Sequence, residues 1–104
     1  MQVPLQITFR HIKHSDALEA AVREKAAKLE SLCPDLSSCR VVIDEEGLHK
    51  QQGRRISVHI DLRIPGHEFA VVRSHEDAMV AVRDAYEAAR RKLEEEARLL
   101  RGGR

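Results

Sequence analysis

Strict alternation of apolar and polar residues occurs in two stretches of the chain, and this period of two predicts β-strands with one buried face. Apolar residues occupy positions 3, 5, 7 and 9 near the start, and positions 56, 58, 60 and 62 further on. Pro4 has no N–H for a ladder, so the beginning of the first strand is expected at a sheet edge or before strand pairing begins. Strands are also predicted over 38–44 and 67–73, with a polar loop at 45–54 and a turn at Pro65-Gly66.

A spacing of three to four residues between apolar positions predicts an amphipathic helix over residues 15–33. Ser15 is suited to the N-cap, and Pro34 is expected to end the helix. The apolar stripe of this helix consists of Leu18, Val22, Ala26, Leu29 and Cys33.

The same spacing predicts a second helix from about residue 74 to about residue 100. Ser74 and Asp77 have the spacing of a capping box, and Gly102-Gly103 is expected to stop the helix. Its apolar stripe consists of Val82, Tyr86, Ala89, Leu93, Ala97 and Leu100.

The element order β-α-β-β-β-α predicts an α+β fold of two layers. We expect a four-stranded sheet with both helices packed on one face, because each helix and the sheet has one apolar face to bury. Residues 1–101 are expected to form a single domain, and residues 102–104 a frayed tail. The other face of the sheet is expected to be in contact with solvent through Arg55, Ser57, His59, Asp61 and Arg63.

Composition restricts the function classes. The chain has 104 residues and a formal net charge of +1, which argues against a domain that is basic throughout but says nothing of a local basic patch. Three aromatic residues, one Tyr and two Phe, are too few for a surface that stacks successive bases. No apolar run is long enough to span a membrane and the N-terminus does not resemble a signal peptide, so a cytoplasmic location is expected.

Candidate catalytic and metal-binding motifs are weak. Cys33 and Cys39 match neither a zinc spacing nor a CxxC motif, which leaves two partly buried reduced thiols or a regulatory disulfide. The six histidines lack the i, i+4 spacing of helical metal ligands and form no HExxH motif, and there is no phosphate-binding glycine loop or nucleophile elbow. The sequence therefore predicts no enzyme activity, cofactor, metal or small-molecule substrate.

Basic residues gather along parts of both helices. In the first helix Lys25 and Lys28 lie on one shoulder of the apolar stripe. One interpretation is that these lysines merely cover the edge of the core, and that the basic residues of the second helix form an ion-paired, soluble surface. The other is a phosphate-binding ridge across both helices. On the second helix Arg83 and Arg90 share one flank, Arg91 and Arg98 lie on the outer face, and Lys92 lies on the opposite flank.

Four segments together resemble the short ribosome hibernation promoting factors, also called ribosome-associated inhibitor or sigma-54 modulation proteins. They are MQVPLQITFR, SDALEAAVREKAAKLE, SCRVVID and EDAMVAVRDAYEAARRKLE, and they follow the family's order over almost the whole chain. The resemblance implies a fold similar to double-stranded-RNA-binding domains. It also implies binding to 16S ribosomal RNA and neighbouring proteins in the decoding channel of the small subunit, with silencing of idle ribosomes.

The resemblance carries over to individual residues as well. Lys25 and Lys28 match family lysines and Arg91 matches a family arginine, so they are expected to contact ribosomal RNA. Met79, Arg83 and Ala88 depart from the family pattern, at positions where it has tyrosine, aspartate and often lysine. The resemblance is to the short form, so the long form's C-terminal dimerisation domain is not expected, and a monomer is expected off the ribosome. By position alone, the expected RNA contacts also include Arg83, Arg90, Lys92 and Arg98.

A protein-interaction module remains the alternative. Such a module would dock through the sheet edge or its outer face, and the sigma-54 label of the resembled family points in that direction.

Overall fold

The computed structural model describes residues 4–46 and 54–102, with side chains as far as Leu99. The order of elements is the predicted one. The strands and helices are β1 (Leu5–Arg10), α1 (Asp16–Leu32), β2 (Ser38–Glu45), β3 (Ile56–Ile64), β4 (His67–His75) and α2 (Ala78–Gly102). Four predicted features lie wholly or partly outside the described residues: the strand residue Val3, most of the 45–54 loop, the Leu100 side chain and residues 103–104 of the tail.

The four strands form one mixed sheet in the order β1-β2-β3-β4. β1 and β2 are parallel, because α1 carries the chain back across the sheet between them. β2, β3 and β4 form an antiparallel meander. The turn between β3 and β4 falls at Pro65-Gly66, where Gly66 has a φ of 76° that suits a residue without a Cβ.

The core lies between one face of this sheet and the two helices, which confirms the predicted two-layer fold. Because side chains alternate along a strand, every second residue of β2 and β3 points into the core. The edge strands β1 and β4 contribute only partly buried side chains. The buried hydrophobic residues of the central strands and helices are Leu18, Val22, Ala26, Leu29, Cys39, Val41, Ile43, Ile56, Val58, Ile60, Leu62, Ile64, Ala81, Val82, Ala85, Tyr86, Ala89 and Leu93.

The first helix has the predicted bounds. The Ser15 hydroxyl accepts a hydrogen bond from the Leu18 N–H at 3.1 Å, as an N-cap residue does. Cys33 is the C-cap, immediately before Pro34. Local capping and the apolar stripe therefore suffice to position α1.

The predicted capping box at the start of the second helix is wrong. Ser74 belongs to β4 and its hydroxyl lies 2.9 Å from that of Ser57. Pairing of β4 with β3 continues to His75, so the backbone there is already committed to the sheet. Asp77 caps α2 instead, accepting a hydrogen bond from the Met79 N–H at 2.9 Å.

One residue of the predicted solvent-facing sheet surface is buried. Ser57 is only 1% exposed, and its hydroxyl donates to Glu46. Glu46 and Ser74 cover it, which sequence alternation alone does not reveal. On the same face His59 and Asp61 are half-buried, and Arg55 and Arg63 are exposed.

Neither helix, in the parts of the chain that the structure describes, is long and apolar enough to cross a membrane.

Candidate nucleic-acid interface

A groove of about 350 Å³ lies between α1 and α2. We call it the interhelical groove. Both helices supply cations to it, and apolar side chains form part of its wall. Its lining residues are Lys25, Lys28, Leu29, Leu32, Arg83, Tyr86, Glu87 and Arg90.

The helical repeat brings these cations together. Leu29 and Tyr86 belong to the buried stripes of the two helices and fix the rotation of each helix against the sheet. Residues seven apart on a helix lie on nearly the same face, which places Arg83 and Arg90 on one flank of α2. Lys25 lies one turn before Leu29 on α1 and so faces the same groove.

One carboxylate lies among the four cations of the groove. Glu87 Oε2 is 2.5 Å from Arg90 Nη2 and 3.7 Å from Arg91 Nε. The hydrogen bond from Arg90 is the main cause that holds the pKa of Glu87 below its ordinary value, with smaller effects from Arg91 and Lys25. The lining residues alone, four cations and one carboxylate, have a formal charge of +3.

Both interpretations of the basic residues find some support. The arginines of α2 are ion-paired, since Arg90 Nη1 also lies 3.1 Å from Glu94 and Arg83 Nη2 lies 3.2 Å from Asp84. Within residues 4–46 and 54–99, however, no ion pair shorter than 4.0 Å involves Lys25 or Lys28. The groove therefore combines paired guanidinium groups on one side with ammonium groups on the other.

The other predicted contact residues lie outside the groove. Arg91 is exposed beside it and approaches Glu87. Lys92 lies on the far flank of α2, where its Nζ is 3.4 Å from Glu96, the carboxylate that also pairs with His67. Arg98 is exposed and does not line the groove. The structure thus brings together Lys25, Lys28, Arg83 and Arg90, and keeps Lys92 and Arg98 apart from them.

Leu32 is a residue of the groove that was not predicted from the sequence. This side chain is 48% exposed, lines the groove and also borders a second hollow of about 230 Å³ beside Leu93 and Ala97. Leu32 follows Lys25 by seven residues and Lys28 by four, so its place on the same shoulder was visible in the sequence. An apolar residue on a cationic shoulder is the signal that could have identified it.

Three potential metal ligands cluster at the start of α1. His14 Nε2 lies 2.7 Å from Glu19, and His14 Nδ1 lies 3.5 Å from Asp16. Glu19 is also held by Arg23 at 3.0 Å, and hydrogen bonds from His14 and Arg23 lower its pKa. The side chains of this cluster therefore bond to one another and to Arg23 at the start of α1.

The two cysteines are free, with Cys33 half-buried and Cys39 buried. Cys39 Sγ lies 3.9 Å from the Tyr86 hydroxyl beneath the helices. Burial raises the pKa of the Cys39 thiol to about 11, so this group is protonated at neutral pH.

The fold and the groove together define an α+β domain with a cationic surface shared by two helices. The chain belongs to the family described as Sigma 54 modulation protein / S30EA ribosomal protein, which matches residues 5–101. The resemblance drawn from the sequence is thereby confirmed. No curated protein sequence matches the chain.

Two solved structures share the fold. A ribosomal subunit interface protein from Coxiella burnetii has a TM-score of 0.80 at 15% identity, over 91% of this chain and 98% of that one. The N-terminal domain of Protein Y from Thermus thermophilus has a TM-score of 0.72 at 20% identity, with the same coverage. At these identities the likeness is one of fold.

Proposed function

We propose that this chain binds the small ribosomal subunit in the channel that holds messenger RNA and transfer RNA, and thereby inhibits translation. The observation that carries the proposal is the interhelical groove, which two helices line with four cations and one carboxylate. Family membership supports a ribosomal partner, and the fold is that of a protein described as a ribosomal subunit interface protein.

The chemistry of the groove suits folded RNA. Lys and Arg side chains at surface spacing contact phosphates without reading sequence, and RNA helices are recognised mainly by shape and backbone. In this proposal the protein works by occupying the channel, as a monomer in the cytoplasm, and catalyses no reaction. Lys25, Lys28, Arg83 and Arg90 are the proposed phosphate contacts, with Arg91 beside them.

Co-sedimentation with ribosomes in a sucrose gradient tests the proposal. We expect the wild-type protein to travel with small subunits and whole ribosomes at low salt, and to be released at high salt. The variant Lys25→Glu/Lys28→Glu should stay at the top of the gradient. The same gradient reports whether ribosomes pair or remain single.

A matched control makes the same change of charge elsewhere. Lys13 and Arg55 are exposed and line no part of the groove, so Lys13→Glu/Arg55→Glu should co-sediment like the wild type. Absence of the wild type from ribosome fractions at low salt would contradict ribosome binding. Equal binding by both double variants would contradict the assignment of the groove.

A protein-interaction module is the second candidate. Val72 is 44% exposed on the outer face of the sheet, in register with half-buried His59 and Val42. The family's description as Sigma 54 modulation protein favours a protein partner for such a face. Specific capture of one partner from a ribosome-depleted extract, lost in Val72→Glu, would support it.

A further inference from the structure

The wall of the interhelical groove is more apolar than phosphate binding requires. Leu32 is one of four large hydrophobic side chains that are exposed in the described part of the chain. It stands among Lys25, Lys28 and Arg90, with Leu29 and Tyr86 deeper in the groove. A ligand with a flat apolar part attached to an anion fits this combination better than a phosphate chain alone.

The size of the groove limits the ligand further. Its volume of about 350 Å³ lies at the lower end of the range of about 300–1,000 Å³ for pockets that hold small molecules. A base that is stacked and paired within a duplex does not present its face to a side chain. Unpaired nucleotides in loops and bulges do, and these are the nucleotides that proteins contact through their bases.

We propose that the interhelical groove holds one unstacked nucleotide of the RNA, with its base against Leu32 and its phosphate between Lys25, Lys28 and Arg90. This inference rests on the proposed function and specifies which part of the RNA the groove binds. The second hollow beyond Leu32, beside Leu93 and Ala97, gives the base room along the helices. Most base contacts of this kind tolerate any base, because each base has an apolar face.

The variant Leu32→Ser tests the inference. Removing one base–side-chain contact should weaken binding to purified small subunits about 5- to 10-fold, at the lower end of the usual range because leucine is not aromatic. The ratio of dissociation constants at low and high salt should stay that of the wild type, because no phosphate contact is lost. Lys28→Gln should instead reduce that ratio.

Two further variants isolate the apolar contact. Leu99→Ser removes a leucine that is 54% exposed on α2 and does not line the groove, and it should bind like the wild type. Leu32→Phe keeps an apolar face, so it should bind at least as tightly as the wild type. Thermal unfolding of each variant checks that the fold is retained.

The RNA side is tested with two hairpins of the same stem, one with a single-nucleotide bulge carrying 2-aminopurine and one fully paired. The bulged hairpin should bind more tightly, and its fluorescence should change with the wild type but not with Leu32→Ser. Equal small-subunit binding by Leu32→Ser and wild type would overturn the inference and leave the proposed function standing. Failure of the wild type to bind ribosomes would overturn the proposed function itself.

Discussion

The charge of the interhelical groove determines how strongly ribosome binding should respond to salt. If each of the four cations neutralises one phosphate, the slope of log K against log salt is about 0.7 to 0.9 per contact, or about −3 in total. Raising salt from about 50 mM to about 200 mM should then weaken binding on the order of 50- to 150-fold.

Replacing Lys25 and Lys28 by glutamine removes two of these contacts without adding negative charge. The slope should fall to about half, near −1.5, and the same rise in salt should then weaken binding only about 10-fold. The arginines Arg83 and Arg90 remain to account for the residual dependence.

The assay is fluorescence anisotropy of labelled protein titrated with purified small subunits at four salt concentrations. The control Lys13→Gln/Arg55→Gln has the same net charge as the test variant, and its slope should equal that of the wild type. A slope unchanged by Lys25→Gln/Lys28→Gln would refute the assignment of phosphates to this groove. A wild-type slope near zero would refute the electrostatic reasoning altogether.

Three further predictions concern single residues. Glu87→Gln should tighten ribosome binding a few-fold in a titration, because the carboxylate competes with phosphate for Arg90. Asp77→Ala should destabilise the protein by about 1 kcal/mol and lower amide protection in the first turn of α2, whereas Ser74→Ala should leave that protection unchanged. Cys39 should resist modification by thiol reagents at neutral pH, as measured by mass spectrometry. Because the pKa of Cys39 is raised from 9.0 to about 11 in the folded protein, the free energy of unfolding should fall as pH rises from about 9 to about 11.

Each of these three predictions has a control or an outcome that would contradict it. Glu95→Gln makes the same charge change away from the groove, and a gain equal to that of Glu87→Gln would point to overall charge alone. Loss of protection by Ser74→Ala would contradict Asp77 as the cap. Cys39 modified as fast as half-buried Cys33 would contradict its burial.

Local signals were sufficient for much of the fold. The alternation in β3 predicted a strand whose apolar side is buried, and Ser15 with Pro34 bounded α1 correctly. The start of α2 was misplaced because Ser74 and Asp77 are both competent caps. Pairing with β3, which is a contact distant in sequence, decides between them.

Local signals also placed part of the candidate site, whereas its assembly depends on contacts distant in sequence. Lys25 and Lys28 could be placed on one shoulder of α1, and Arg83 with Arg90 on one flank of α2, from helical spacing alone. Whether those two faces meet depends on how the helices pack across the sheet, which one helix does not specify. Leu32 and Glu87 acquire their importance only when both walls of the groove are present.

The groove is assembled from two segments more than 50 residues apart in the chain, and this ties ligand binding to folding. Neither helix alone carries the full set of cations, so the unfolded chain offers RNA no equivalent surface. A ligand that binds only the native state stabilises it by mass action, in proportion to the logarithm of its concentration over its dissociation constant. RNA held in the groove would therefore protect the protein from proteolysis, and molecules left unbound would be degraded first.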